Sequence, residues 1–193
     1  SGLDETMDPV RVCPEPETLS GIDVSFYQGA IDWTKVGAAG IAFAFARVSD
    51  GLDHVDPRFD ANWTGIRAAG LVRGAYQYFE PGEDPIAQAD LVAEKVGVLG
   101  PSDLPAVIDV EATGGEPPSI VADAVRKWLA RVGAKTGKPP IVYTARYFWD
   151  GDVEGAAFGD HPLWVADYGA SCPDLPDAWT GWLFWQYGDR SDI

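Results

Sequence analysis

Cysteine, histidine and positive charge are scarce in this sequence, and each scarcity excludes something. Its 193 residues hold 2 Cys, 2 His and 1 Met, with 14 Lys and Arg against 30 Asp and Glu, a formal net charge of −16. Two distant Cys and two His cannot supply the four clustered ligands of a zinc site, so no metal is expected. The excess of acid repels phosphate backbones and anionic lipid, which argues against nucleic acid and membrane as partners. Long apolar runs are absent as well. No charge-free stretch exceeds Val36 to Ala46, well short of the roughly 20 residues that cross a bilayer. Ser1-Gly2-Leu3-Asp4-Glu5 has no basic start and no apolar segment after it, so no signal peptide is visible. No G-x-S-x-G elbow, G-x-G-x-x-G turn or P-loop occurs, and serine-hydrolase and nucleotide readings go unsupported. Asp50, Asp53, Asp56 and Asp60 lack EF-hand spacing and read as a solvated loop, while His54 and His161 read as loop histidines.

What is present is enough apolar material for one folded domain, with 46% hydrophobic residues and 8 Trp, 7 Tyr and 8 Phe. Residues 1–20, acidic and Pro-rich without periodicity, read as an extended leader, and residues 21–193 as a single barrel domain. Strands are expected at 21–25, 41–48, 71–79, 106–111, 141–144, 163–168 and 182–187. Helices are expected at 57–70 and 85–96, and from an N-cap at Ser119 along the stripe Val121, Ala124, Val125, Trp128, Leu129 and Val132. The spacers between the last three strands show no helical periodicity. Strand–helix alternation followed by strand after strand argues an α/β fold with a parallel sheet. In a barrel of that kind the chemistry gathers at the C-terminal ends of the strands.

Val107-Ile108-Asp109-Val110-Glu111 carries the chemical signal. Alternation along a strand sends Asp109 and Glu111 to one face, about 6.5–7 Å apart, and Ile108 and Val110 to the other. Two neighbouring carboxyls cannot both ionise freely. One is held protonated, which is what a general acid needs. Asp23 stands at the matching end of the first strand. Arg47, with Asp50 beyond it, is placed to orient a mouth carboxylate or simply to neutralise charge. Aromatics crowd the same ends, at Tyr27, Tyr76, Tyr78, Tyr143, Trp164, Tyr168, Trp185 and Tyr187, where sugar rings stack well and where core packing also explains about half of them. Cys13 and Cys172 are either two free thiols or one disulfide. The disulfide is the favoured reading, and with it an extracellular or periplasmic setting.

Gly21-Ile22-Asp23-Val24-Ser25-x-Tyr27-Gln28-Gly29-x-Ile31-Asp32-Trp33 resembles the opening motif of the glycoside hydrolase family 25 muramidases, the CH-type lysozymes. Phe43 to Gly51, Gly74-Ala75-Tyr76, Ile108-Asp109-Val110-Glu111, Leu163-Trp164-Val165-Ala166-x-Tyr168 and Trp185-Gln186-Tyr187 resemble its later motifs in order. The resemblance implies a flattened TIM-like (β/α)5(β)3 barrel that cleaves the β-1,4 bond between N-acetylmuramic acid and N-acetylglucosamine. No cofactor is implied, and the expected partner is the peptidoglycan strand, met by a monomer. Carried over by position, Glu111 is the proton donor and Asp109 and Asp23 the supporting carboxylates. Tyr27, Tyr78, Tyr143, Trp164, Tyr168, Trp185 and Gln186 are expected at the substrate. Asp50 stands where similar enzymes have Glu, Gln77 where many have His, and the pattern's final strand with its acid is not found before Ile193, Asp192 not being assigned to it. A glycan-binding module without turnover, and a chitinase-like or endo-N-acetylglucosaminidase-like hydrolase, are the competing readings.

Overall fold

The computed structural model describes residues 9–153 and 158–189. The first eight residues of the leader and Asp192 lie outside the described residues. Eight strands are present: β1 (Gly21–Val24), β2 (Phe43–Asp50), β3 (His54–Val55), β4 (Val72–Tyr78), β5 (Val107–Asp109), β6 (Ile141–Ala145), β7 (Leu163–Ala166) and β8 (Phe184–Gln186). Seven are parallel, hydrogen-bonded in the order β1-β2-β4-β5-β6-β7-β8, and β3 folds back antiparallel on the end of β2. Five helices cover the outside: α1 (Trp33–Ala38), α2 (Phe59–Ala68), α3 (Pro85–Val96), α4 (Pro118–Thr136) and α5 (Arg146–Asp152). The sheet curls into a half-barrel.

Local sequence explains most of these elements. All of β6 is buried, and its one hydroxyl outside the tyrosine, that of Thr144, donates to Val110 O at 2.9 Å. Asp84 caps α3 by accepting from the Ile86 and Ala87 N–H groups, with Pro85 at the first helical position. The predicted stripe of α4 is buried from Val121 to Val132, but the helix begins at Pro118, so Ser119 lies inside its first turn and does not cap it. One expectation for the spacers fails, since a helix, α5, stands between β6 and β7; α1, after β1, occupies a stretch to which no element was assigned. At seven and six residues both are too short to display a periodicity. His54, expected in a loop, is in β3.

Two apolar layers result. One fills the space between sheet and helices, around Trp128, Trp149, Phe59 and Ile66. The other is the barrel interior, built on Phe45, Val107, Ile141, Tyr143 and Trp164, with Phe43 and Phe184 packed against it. Phe45 stacks on Trp164 at 4.6 Å between ring centroids and meets Phe184 edge-on at 5.2 Å. Glycine makes room for this plug. A Cβ at Gly21 would come within 2.1 Å of the Phe43 ring, and one at Gly74 within 2.2 Å of the Phe45 ring. Each glycine is the direct cross-strand partner of the aromatic it admits.

The leader is docked where it is described. Cys13 and Cys172 form a disulfide, Val12 N–H donates to Pro173 O at 3.3 Å, and Leu175 N–H donates to Val10 O at 2.8 Å. This clasp holds the β7–β8 loop. Among the described residues no backbone hydrogen bond joins β8 to β1, and a side chain crosses that seam instead: Gln186 Nε2 donates to Asp23 Oδ2 at 2.9 Å.

Candidate active site

The C-terminal ends of the parallel strands surround a cavity of about 270 Å³. Alternation decides which side chains reach it. On β4, Tyr76 and Tyr78 face in while Ala75 and Gln77 face the helices. Gln77, at the position where the resemblance suggests His, is fully satisfied in the outer layer. It donates to Ser49 Oγ at 2.8 Å and accepts from Trp128 Nε1 at 2.7 Å. On β2 the alternation is broken, because the register slips between Arg47 and Ser49. The extra residue, Val48, turns Ser49 outward to Gln77 and sets Asp50 opposite Tyr78.

Asp109 ends β5 and is 7% exposed; Glu111 lies two residues beyond, open to solvent at the cavity rim. Both carboxyls line the same cavity, and neither can ionise without facing the charge of the other. Burial, the charge of Glu111 and the charge of Asp23 hold Asp109 well above the usual carboxylate range. Asp109 Oδ1 has no hydrogen-bond partner among the described residues. The resemblance implies Glu111 as the proton donor, and in the free site burial favours a proton on its neighbour Asp109. Asp23 is raised by burial too, opposed by the hydrogen bond from Gln186.

Arg47 brings the positive charge to the cavity wall, and its Nε pairs with Asp56 at 3.3 Å. It neutralises a buried partner and does not grip a mouth carboxylate. Asp56, read as part of a solvated loop, is 4% exposed and also accepts from the backbone N–H groups of Phe26 and Arg58 at 2.9 and 2.8 Å. It thereby anchors the turn that carries Tyr27, whose ring lies 5.5 Å from the Arg47 guanidinium.

The expected aromatics divide. Tyr27, Tyr78, Tyr143, Trp164 and Tyr168 line the cavity together with Gln186. Burial, with the charges of Asp109 and Glu111, pushes the Tyr78 phenol up to about 12, so it stays a neutral donor. Trp185 does not belong to the site. It faces the opposite side of β8 from Gln186, and its indole N–H donates to Asp167 O at 2.9 Å. Asp50 is at the rim, near enough to Glu80 to raise it along with burial and Glu83, and does not line the cavity. Sequence reasoning left Tyr76 and Ser25 out of the site set, although both line it. The alternation through Tyr78 was the available signal for Tyr76. Among the described residues no group of His, Cys, Asp and Glu is arranged to hold a metal ion.

The family profile described as Glycosyl hydrolases family 25 matches residues 22–193. The chain belongs to that family. A further relative is the uncharacterized protein YegX of Escherichia coli K12, 38% identical over 185 residues, covering 93% of this chain and 66% of that protein. Lysozyme M1 of Streptomyces globisporus is 36% identical over 181 residues, covering 88% of this chain and 61% of that protein. The chain therefore spans about two thirds of the length of these curated relatives. Among solved structures, the bacterial lysozyme from Streptomyces coelicolor superposes with a TM-score of 0.83 at 32% identity, covering 90% of this chain and 85% of that one. Asp23, Asp109 and Glu111 line the cavity and lie within the matched residues.

Proposed function

We propose that the chain is a muramidase, hydrolysing the β-1,4 bond from N-acetylmuramic acid to N-acetylglucosamine in peptidoglycan, with Glu111 as general acid. The observation that carries this is the Asp109–Glu111 pair, one member buried and one exposed, in an aromatic-walled cavity. At about 270 Å³ the cavity is smaller than sites that enclose a whole ligand, so a glycan would lie across the mouth with one ring seated. The relatives named as lysozymes support the substrate class. The full (β/α)5(β)3 barrel belongs to the same proposal, supported by the five helices that follow β1, β3, β4, β5 and β6.

The chemistry follows from the pair. The proton that burial keeps on Asp109 passes outward to its neighbour Glu111 when the glycan is bound. Glu111 then delivers that proton to the leaving oxygen as the glycosidic C–O bond breaks. Asp109, now charged, steadies the substrate's 2-acetamido group while its carbonyl oxygen closes on the anomeric carbon. Water opens the resulting oxazolinium, giving its proton to Glu111, and configuration is retained. The disulfide suits an extracellular or periplasmic place of action. No described helix is long and apolar enough to cross a membrane.

The test uses purified peptidoglycan and mass analysis of the new reducing ends. Muramic acid ends are expected, and Glu111→Gln is expected to slow their release by roughly 10²–10⁴-fold with glycan binding kept. Glucosamine ends would favour the glucosaminidase reading, and binding without release the module without turnover. NMR of the first anomer formed decides the stereochemistry, where early inversion would eliminate the acetamido route.

A further inference from the structure

Gln186 makes more of the mouth's hydrogen bonds than a sugar contact needs. Its Nε2 reaches across the seam from β8 to Asp23 Oδ2 on β1, at 2.9 Å. Its Oε1 accepts from two phenols, Tyr143 on β6 at 2.6 Å and Tyr168 beyond β7 at 2.7 Å. One amide thus ties together four segments of the barrel wall at a place where the backbone ladder does not run.

The three partners agree on one orientation of that amide. With the carbonyl toward the phenols, both hydroxyl protons have an acceptor and Asp23 receives an N–H. Turned over, the carbonyl would meet Asp23 Oδ2, an arrangement that requires a proton on Asp23 and leaves two phenol protons to find other acceptors. The tyrosines therefore hold Gln186 in the sense that suits a charged Asp23. We propose that Gln186 is a positioning residue: it fixes Asp23 as the anionic carboxylate of the mouth and so leaves the exchangeable proton to Asp109 and Glu111. The other charged and titratable groups facing this cavity are Tyr27 from the turn after β1, Arg47 from β2 and Tyr76 and Tyr78 from β4. Arg47 is engaged with Asp56, and the side-chain donor to Asp23 is Gln186, beside the backbone N–H of Asp23 itself.

This rests on the muramidase reading for its catalytic meaning but not for its test. The carboxyl of Asp23, assigned by its loss in Asp23→Asn, is titrated by ¹³C NMR in the wild type, in Gln186→Met and in the double variant Tyr143→Phe/Tyr168→Phe. Methionine keeps the volume and removes the donor, so the Asp23 midpoint is expected to rise by about one pH unit, a tenfold tighter hold on its proton. The double variant keeps the donor and frees the amide to turn, so a smaller rise in the same direction is expected. On peptidoglycan, the acid limb of kcat/KM should move up by the same amount while the alkaline limb stays. An unmoved Asp23 midpoint in folded Gln186→Met overturns the proposal, as does a rate lowered by one factor at every pH, the mark of a lost sugar contact. If Gln186→Met does not fold, the double variant decides by the same titration. A wild type inert on peptidoglycan would defeat the muramidase reading alone, because the titration still reports on Gln186.

Discussion

The two ends of the barrel treat carboxylates in opposite ways. At the N-terminal end, Asp103 sits before β5 at 5% exposure and receives Arg73 Nε and Arg67 Nη2, each at 2.7 Å, together with the Gly100 N–H at 2.9 Å. Burial alone would raise it, but these donors bring it down to about 2. At the C-terminal end, Asp23, Asp109 and Glu111 face one cavity, and the guanidinium in its wall is paired with Asp56. Burial there is not compensated, and Asp109 rises. Both carboxylates are shielded from solvent, Asp109 the more deeply, and only Asp103 has the donors that reverse the effect of burial. The base of the barrel is built for stability. On the proposed muramidase reading, the mouth accepts a cost in stability in exchange for a proton it can give away.

The sharpest way to break this contrast is to remove the carboxylate at the base. Asp103→Asn leaves Arg73, whose side chain is 11% exposed and whose guanidinium lies 3.8 Å over the Trp63 ring, without its counter-ion. The expected loss is about 3 kcal/mol, or roughly 6–12 °C in Tm, by thermal denaturation at pH 7. Cleavage of peptidoglycan by the folded fraction should stay near wild type, because Asp103 lies at the other end of the strands. A loss of rate as large as that of Glu111→Gln would mean that the two ends are coupled.

A smaller effect is expected inside the barrel, between the two ends. Gly74→Ala places a methyl 2.2 Å from the Phe45 ring, which is itself stacked on Trp164 of the cavity wall. The ring must move, at a cost of about 2 kcal/mol. A denaturant midpoint measures it, and an unchanged midpoint would show that the plug is loosely packed.

Local patterns were legible in the sequence, and relations among distant strands were not. The Asp109–Glu111 pair needs only two residues of strand alternation, and with 2 Cys the one choice was between two free thiols and the Cys13–Cys172 disulfide that forms. The strands announced themselves because parallel strands covered on both faces are continuous apolar runs. The slip at Val48 was invisible, since a bulge leaves no mark in composition, and it decided where Asp50 went. Trp185 was misplaced for a related reason. Gln186 and Trp185 are adjacent, so only one could face the cavity, and nothing local said which. The burial of Asp56 depended on Arg47, nine residues away on another element, and the role of Gln186 on side chains from three other segments.

The smallest expected effect tests the cost carried at the mouth. Asp109→Asn keeps the shape of the side chain, supplies an N–H donor to Glu111 and removes the buried ionisable group. The linkage has a definite sign. A folded-state value raised above the unfolded one leaves stability intact below pH ~4 and erodes it as pH rises toward the folded value, because the unfolded chain ionises where the folded one resists. Asp109→Asn should therefore melt higher than the wild type at pH 7, by about 3 °C for roughly 1 kcal/mol, with turnover lost. The two melting curves should converge as pH is lowered to about 3.5, where unfolded Asp109 is itself largely protonated. Asp103 runs the other way, since its depressed value makes its contribution complete above pH ~4 and lost as pH falls through about 2. A gain from Asp109→Asn that persists unchanged at pH 3.5 would mean that packing, and not the uncompensated charge, sets the cost of the mouth.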